Sequence, residues 1–380
     1  MKILVLSVTA GEGHNSMGKA LMAAAKDKHH DAIMHDYLKD ICPFRGWLSQ
    51  PFYFFTLRHF PKLEQRAYQA IQNRDYTKLP KKMSAIHYMT SSKKANQAVL
   101  DVIKEYQPDV VYCTHIYCGI VMSYLKKNGY TKVPSFFIVS DYNVIAYTEW
   151  AKCNDYILSP SEEVNQTLLK IGYKQEQILP FGITVNPKFA QIHDRKKLAQ
   201  VLNIKPDVFT IFMSGGGTGF GNILDFIKKV EKNEFKVQII IVNGHNEEGY
   251  ARIQEYIEKN NLKNILNYGF VTNIHELMAV SDIMVGKLGG VGVTEAFNMG
   301  LPILCPSPAP FQEHDNGIYL SKLGCIINTN TNDECILALK EILEHPEKLV
   351  AMKQAVRQVA RPHATTDLLA FMEKITYGSK

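Results

Sequence analysis

Apolar runs of strand length recur along the chain, separated by stretches whose apolar positions return every three or four residues. KILVLSV (2–8) is the first, a continuous run followed by a glycine turn, as in a strand buried on both faces of a parallel sheet. NSMGKALMAAAKD follows with helical spacing, and PDVVYCTH (108–115), PSFFIVSD (134–141) and DYILSP (155–160) repeat the alternation. A second series comprises FTIFMSGGG (209–217), FKVQIIIVNG (235–244), NILNYGF (264–270), SDIMVGK (281–287), PILCPSP (302–308) and GCIIN (324–328). Strands alternating with helices predict an α/β chain of open parallel sheets with helices on both faces. LPFGITVNPKF (179–189), with its prolines and glycine, reads as the linker. The expected organisation is two Rossmann-like domains, 1–184 and 185–362, with residues 363–380 a helix returning to the first domain. Ligands in such sheets sit beyond the strand C-termini, here in a cleft between the two halves. Residues 42–92 break the rhythm.

The 380 residues are 46% hydrophobic and 21% charged, ample for two cores and unlike a disordered chain. No run of 18 apolar residues and no signal-peptide pattern is present, so a cytoplasmic protein is expected. Seven cysteines form no CxxC pair and read as reduced core thiols, without zinc or disulfides.

Charge changes the picture more. Residues 1–185 carry 22 Lys and Arg against 16 Asp and Glu, whereas 186–380 carry 21 of each. Within 39–94 the ratio is 11 to 3. That window holds FRGWLSQPFYFFTLRHFPKLEQR (44–66), in which Trp47, Phe52, Tyr53, Phe54, Phe55 and Phe60 alternate with Arg45, Arg58, Lys62 and Arg66. Lys78, Lys81, Lys82, Lys93 and Lys94 extend the positive character. A packed helical insertion with a solvated cationic face is one reading. The favoured reading is a surface that dips aromatic rings into a headgroup region while cations attract anionic lipid, each contributing on the order of 1 kcal/mol. No nucleic-acid module accompanies the charge.

Two glycine-rich turns in the second half carry candidate chemistry. In VSDIMVGKLGGVGVTEAFNMGLPIL (280–304) a strand ends at Lys287, glycines 289, 290 and 292 form a loop, and a helix starts near Val293. Glycines admit a ligand close to the backbone, and the helix N-terminus offers free N–H groups to an anion. Thr294 and Glu295 fall in the first turn, where a carboxylate can accept from ribose hydroxyls. FMSGGGTGFGN (212–222) is the second such turn. Near the N-terminus, LSVTAGEGHNSMGKAL (6–21) lacks the third glycine of a dinucleotide fingerprint. Gly13 and its neighbours instead place His14 at a helix start, where the dipole disfavours imidazolium and leaves a neutral base. General-base catalysis and a capping or core role are the two readings of His14. Asp141 is a second candidate, to orient His14 or contact an acceptor. His115 is a third, with a structural role as its alternative.

GFVTNIHELMAVSDIMVGKLGGVGVTEAFNMGLPIL (269–304) with QEHDN (312–316) resembles the donor site of glycosyltransferase family 28. The resemblance is to monogalactosyldiacylglycerol synthases and processive diacylglycerol glucosyltransferases, and it extends to GEGH (11–14), QPDVVYCTH (107–115), VSDY (139–142) and the triple glycine at 215–217. It implies a GT-B fold, a nucleotide-sugar donor in the C-terminal half, and inverting transfer to a lipid hydroxyl with His14 as base. By motif position, Gly215, Gly216, Gly217, Gly289 and Gly290 would lie along the diphosphate. Phe270 and Val271 would flank the uracil, Glu295 would bind the ribose, and Gln312 and Glu313 would reach the sugar hydroxyls with Asn316 nearby. Family members usually carry a histidine shortly after the aspartate; DYNVIAYTEW has none, and Trp150 lies farther along, which leaves the acceptor open.

The leading expectation is transfer of glucose or galactose from a UDP-hexose to diacylglycerol or a glycosyldiacylglycerol, by a peripheral protein on the cytoplasmic face of an anionic membrane. Transfer of N-acetylglucosamine to a polyprenyl-linked acceptor and a non-catalytic nucleotide-sugar sensor are the alternatives. No Asp-x-Asp motif is present, so no metal and no cofactor beyond the UDP-sugar are expected.

Overall fold

A computed structural model describes residues 1–9, 12–41, 43, 61–72, 90, 93–214, 223–307 and 311–378. The chain divides into two compact units, Met1–Pro187 with His363–Lys380, and Lys188–Pro362. In the first unit, β1 (Lys2–Ser7), β2 (Asp31–Asp36), β3 (Val110–Cys113), β4 (Ser135–Ile138), β5 (Tyr156–Leu158) and β6 (Ile178–Leu179) form a parallel sheet in the order β2-β1-β3-β4-β5-β6. In the second, β7 (Phe209–Ser214), β8 (Val237–Val242), β9 (Ile265–Tyr268), β10 (Ile283–Val285), β11 (Ile303–Cys305) and β12 (Ile326–Asn328) are parallel in the order β12-β11-β10-β7-β8-β9.

Both orders reverse once, and the reversal places the functional loops. The chain leaves β1 for β2 on one side and returns to β3 on the other, so the segments after β1 and β3 splay apart at their C-terminal ends. The same happens between β7 and β10. These are topological switch points, where open parallel sheets bind ligands.

Two strands escaped the apolar pattern. DAIMHD (β2) is an edge strand of largely half-buried residues, and β6 ends on Leu179, the first residue of the stretch that reads as a linker. The remaining strands are shorter than their apolar runs because pairing ends where the loops begin to diverge. The cores follow the expected chemistry: Leu4, Leu6, Val111, Cys113 and Phe137 are buried in the first unit, and Ile211, Ile239, Ile241, Ile283 and Val285 in the second. Each fully buried aliphatic side chain of this kind contributes about 1.5–3 kcal/mol.

Helix Glu12–Asp27 lies tightly on the first sheet because of Gly18, where a Cβ would stand 2.8 Å from Val5 Cγ1 and 2.9 Å from Met34 Sδ. The tight packing that a third glycine supplies in dinucleotide folds is thus present, displaced along the helix. Helix Ala364–Tyr377 belongs to the first unit. Its Phe371 ring meets Phe136, Tyr156 and Phe181, Thr365 donates to the Val185 carbonyl at 2.6 Å, and Glu373 pairs with Lys28 and His30. Cys113, Cys118, Cys305, Cys325 and Cys335 are buried thiols outside any disulfide, as is the half-buried Cys153; Cys42 lies outside the described residues. Among the described residues no helix is long and apolar enough to cross a membrane.

Candidate active site

At the first switch point the helix begins at Glu12, earlier than its apolar spacing suggests, so His14 occupies the first turn, half-buried. Its Nδ1 lies 2.7 Å from the carbonyl oxygen of Thr114, the residue following β3. A carbonyl can only accept, so Nδ1 carries the hydrogen and a neutral ring presents Nε2 as a lone pair. Burial holds the His14 pKa below the usual imidazole value, against the opposing effects of the Thr114 bond and the Asp141 charge. The group is therefore a neutral base at ordinary pH.

Thr114 is itself held. Its hydroxyl donates to Ser7 Oγ at 3.0 Å, Ser7 donates to Asn15 Oδ1 at 2.7 Å, and Asn15 Nδ2 donates to Thr9 Oγ1 at 2.9 Å. The Thr9 amide donates to Asp36 Oδ2 at 2.7 Å. The ends of β1, β2 and β3 are thereby joined around the segment bearing Gly13 and His14; residues 10 and 11 lie outside the described ones. Asp141 does not end its strand but stands in the loop after β4, with Ser140 Oγ donating to Oδ2 at 3.1 Å. The bond that orients His14 comes from Thr114, while Asp141 acts on it through charge.

His115 caps helix Ile116–Lys127, its Nδ1 accepting from the Tyr117 amide at 3.1 Å. The ring meets His14 edge to face at 4.6 Å between centroids. Burial and the neighbouring His14 hold its pKa well below the ordinary value.

The DYNVIAYTEW segment is held by Gln72. Gln72 Nε2 donates to the Val144 carbonyl at 2.5 Å, and the Ala146 amide donates to Gln72 Oε1 at 2.9 Å. Trp150 packs on Tyr147 at 4.9 Å. Of the basic aromatic surface, Arg66 is exposed on helix Pro61–Gln72, which also carries Lys62, and Lys93 and Lys94 are exposed. Trp47, Phe54, Phe55, Arg58, Lys81 and Lys82 lie outside the described residues.

Among the described residues the donor candidates follow β9, β10 and β11 of the second sheet. β7 leads to 215–222, so Gly215, Gly216 and Gly217 also fall outside the described residues. After β10 come Gly286 and the half-buried Lys287, then Gly289, which begins helix Gly290–Asn298 without a side-chain cap. Helices normally satisfy their first N–H groups by capping, so this end is suited to receive an anion. Gly289 has φ −66°, open to any residue. Among the described residues its Cβ would meet only Glu313 Oε1, at 3.5 Å, and at Gly292 a Cβ would meet nothing within 4 Å. Internal packing therefore does not demand these glycines, which fits a ligand that approaches the backbone. Gly289→Ala should leave the melting temperature nearly unchanged and raise the donor KM about tenfold, roughly 1.4 kcal/mol. An unaltered KM across a donor titration would mean that nothing approaches this backbone.

Thr294 is buried, and its hydroxyl donates to the Gly290 carbonyl at 2.7 Å, so it braces the helix. Glu295 is half-buried, and burial pushes its carboxyl up to about 8. Gln312 and Glu313 open helix Gln312–Lys322, both half-buried. Asn316 is fully buried and donates to the Leu288 carbonyl at 2.9 Å, so it fixes the glycine loop from behind. Val271 is half-buried beside Phe270, an exposed ring that stacks on His245 at 4.5 Å and 15°. Sequence reasoning missed His245, although it directly follows the apolar run of β8. Among the described residues no group of three or more His, Cys, Asp or Glu is disposed to hold a metal ion.

Residues 14–185 match the monogalactosyldiacylglycerol synthase family, and residues 210–368 match the C-terminal domain of glycosyltransferase family 28. The two matches fall on the two Rossmann-like units, and the protein is a glycosyltransferase with the GT-B architecture. The N-terminal half thus carries a domain of the monogalactosyldiacylglycerol synthase type, and the C-terminal half a domain of the family 28 type. It is 23% identical over 373 residues to a processive diacylglycerol beta-glucosyltransferase of Bacillus pumilus, covering 97% of this chain and 93% of that protein. A Staphylococcus haemolyticus protein of the same name is 24% identical over 381 residues, covering 98% and 93%. The fold is shared with the crystal structure of a UDP-GlcNAc 2-epimerase from Neisseria meningitidis bound to UDP-GlcNAc, with a TM-score of 0.61, 16% identity, and 98% of this chain and 100% of that one covered.

Proposed function

We propose that the protein transfers a hexose from a UDP-hexose to the free hydroxyl of diacylglycerol or a glycosyldiacylglycerol, as a peripheral protein on the cytoplasmic face of an anionic membrane. The observation that carries the chemistry is the His14 imidazole, bonded through Nδ1 to Thr114 and neutral by burial, with Nε2 left to accept a proton. Nε2 takes the hydroxyl proton of the acceptor as its oxygen bonds to the anomeric carbon. The bond from that carbon to the diphosphate oxygen breaks, and UDP leaves with the electron pair. One displacement from the face opposite the leaving group inverts the anomeric carbon.

The helix N-terminus at Gly289 and Gly290 meets the charge of the diphosphate, with no metal or other cofactor taking part. Phe270 and Val271 flank the uracil, Glu295 accepts from the ribose, Lys287 adds positive charge, and Gln312 and Glu313 hold the hexose. The names of the full-length relatives support a diacylglycerol acceptor. The basic excess in 39–94 supports an anionic surface.

The test is a screen of labelled UDP-glucose, UDP-galactose and UDP-N-acetylglucosamine with phosphatidylglycerol liposomes carrying either diacylglycerol or a polyprenyl-linked acceptor, with and without EDTA. A glycosyldiacylglycerol formed from a UDP-hexose, undiminished by EDTA and weakened by salt, is the expected result. Sugar found only on the polyprenyl-linked acceptor, or nucleotide binding without transfer, overturns the reading.

A further inference from the structure

The imidazole of His115 does work that a simpler side chain would do as well. Ser, Thr, Asn and Asp are the usual N-caps, and histidine is not among them. Yet His115 caps helix Ile116–Lys127 by accepting from the Tyr117 amide at 3.1 Å. That bond uses Nδ1 as an acceptor, so in the neutral ring the hydrogen is on Nε2. The cap thus fixes the tautomer of His115 as the Thr114 carbonyl fixes that of His14.

The geometry around His14 shows what a second ring adds. The bond from Nδ1 to the Thr114 carbonyl orients the imidazole at one edge, because rotation about Cβ–Cγ would stretch it. His115 adds a second contact against that rotation: its ring stands at 82° to that of His14, with centroids 4.6 Å apart. His115 is buttressed in turn by Tyr117, at 4.6 Å and 75°. The rings of Tyr117, His115 and His14 form a ladder of edge contacts built on the first turn of the capped helix. Such contacts favour one relative orientation of the rings over others.

We infer that His115 is a positioning residue for transfer, holding the plane of the His14 ring so that Nε2 faces one direction. This rests on the reading of His14 as the base. Among the described residues, the groups that act on His14 are the Thr114 carbonyl and His115 from the segment after β3, and Asp141 from the loop after β4.

The experiment compares His115→Asn, His115→Ala, His14→Ala and the double variant His14→Ala/His115→Asn in the full chain, measuring melting temperature, kcat, KM and the pH profile. Asparagine keeps an acceptor for the Tyr117 amide, so H115N should melt within about 2 °C of the parent while its kcat falls about tenfold and its KM values hold. The smaller side chain also admits water to His14, so the acid limb of kcat should move to higher pH, toward the ordinary imidazole value. The double variant should be no slower than H14A. Wild-type turnover and an unmoved acid limb in H115N, with H14A inactive, reduce His115 to a cap and overturn the positioning role alone. Losses that add in the double variant also overturn it. Wild-type turnover in H14A overturns the base assignment itself, whatever H115N does. H115A, expected to lose both stability and turnover, separates the cap from the ring.

Discussion

His14→Ala should lower kcat by about 10²–10⁴, the usual worth of a positioned general base, while nucleotide binding stays intact. The loss belongs in kcat because His14 lies in the first unit and its proposed partner is the acceptor hydroxyl, whose proton moves only as the new bond forms. The wild-type pH profile carries a second mark. Burial lowers the His14 pKa, so the neutral, active ring persists below the ordinary imidazole value of about 6.5. Turnover should stay level as pH falls through that value and decline only further down, with the fall displaced upward if the site is opened to water. A decline centred at the ordinary imidazole value would contradict the buried, neutral base, and an alanine variant with unchanged turnover would remove it.

Glu295→Gln should weaken nucleotide binding by about 10- to 100-fold, since hydrogen bonds to a charged acceptor contribute roughly 1.5–3 kcal/mol. The direction with pH follows from burial, which pushes the carboxyl of the unliganded protein up to about 8. Ribose hydroxyls favour the carboxylate, so binding at lower pH must first remove a proton. Affinity should therefore rise as pH approaches 8, by up to about tenfold per unit, and the glutamine variant should show no such slope. Stability runs the other way. Between the ordinary carboxyl range and about 8 the folded protein keeps a proton that the unfolded chain has released. The contribution is fully present at low pH and is lost as pH rises through the folded value. Calorimetric titration with UDP and thermal melts across pH 5 to 9 would read both slopes. A pH-independent affinity in the parent would show that the ribose does not call on this carboxylate.

These expectations draw unequally on sequence and structure. Gly289, Gly290 and Glu295 stand together because a strand, a loop and a helix start are contiguous in the chain. The same locality made the alternation of strands and helices visible, and the continuous apolar runs marked strands covered on both sides. β2 was invisible for the complementary reason: at a sheet edge, half-buried, DAIMHD carries no apolar run. Residue types in the site were also legible more often than their tasks. Thr294 and Asn316 lie where the donor motif puts them, yet the first spends its hydroxyl on Gly290 and the second is buried behind Leu288.

By itself, the sequence determined the α/β class, the two series of strands, the glycine loop before Glu295 and the presence of a histidine at a helix start. These are periodic or local properties, encoded in neighbouring residues. Only the tertiary structure decided which groups face each other across long stretches of chain. His14 and Thr114 are 100 positions apart and meet because β1 pairs with β3. Phe270 finds His245 because β8 pairs with β9. Strand order is a global outcome of packing, and it set both the tautomer of His14 and the ring that stands against it.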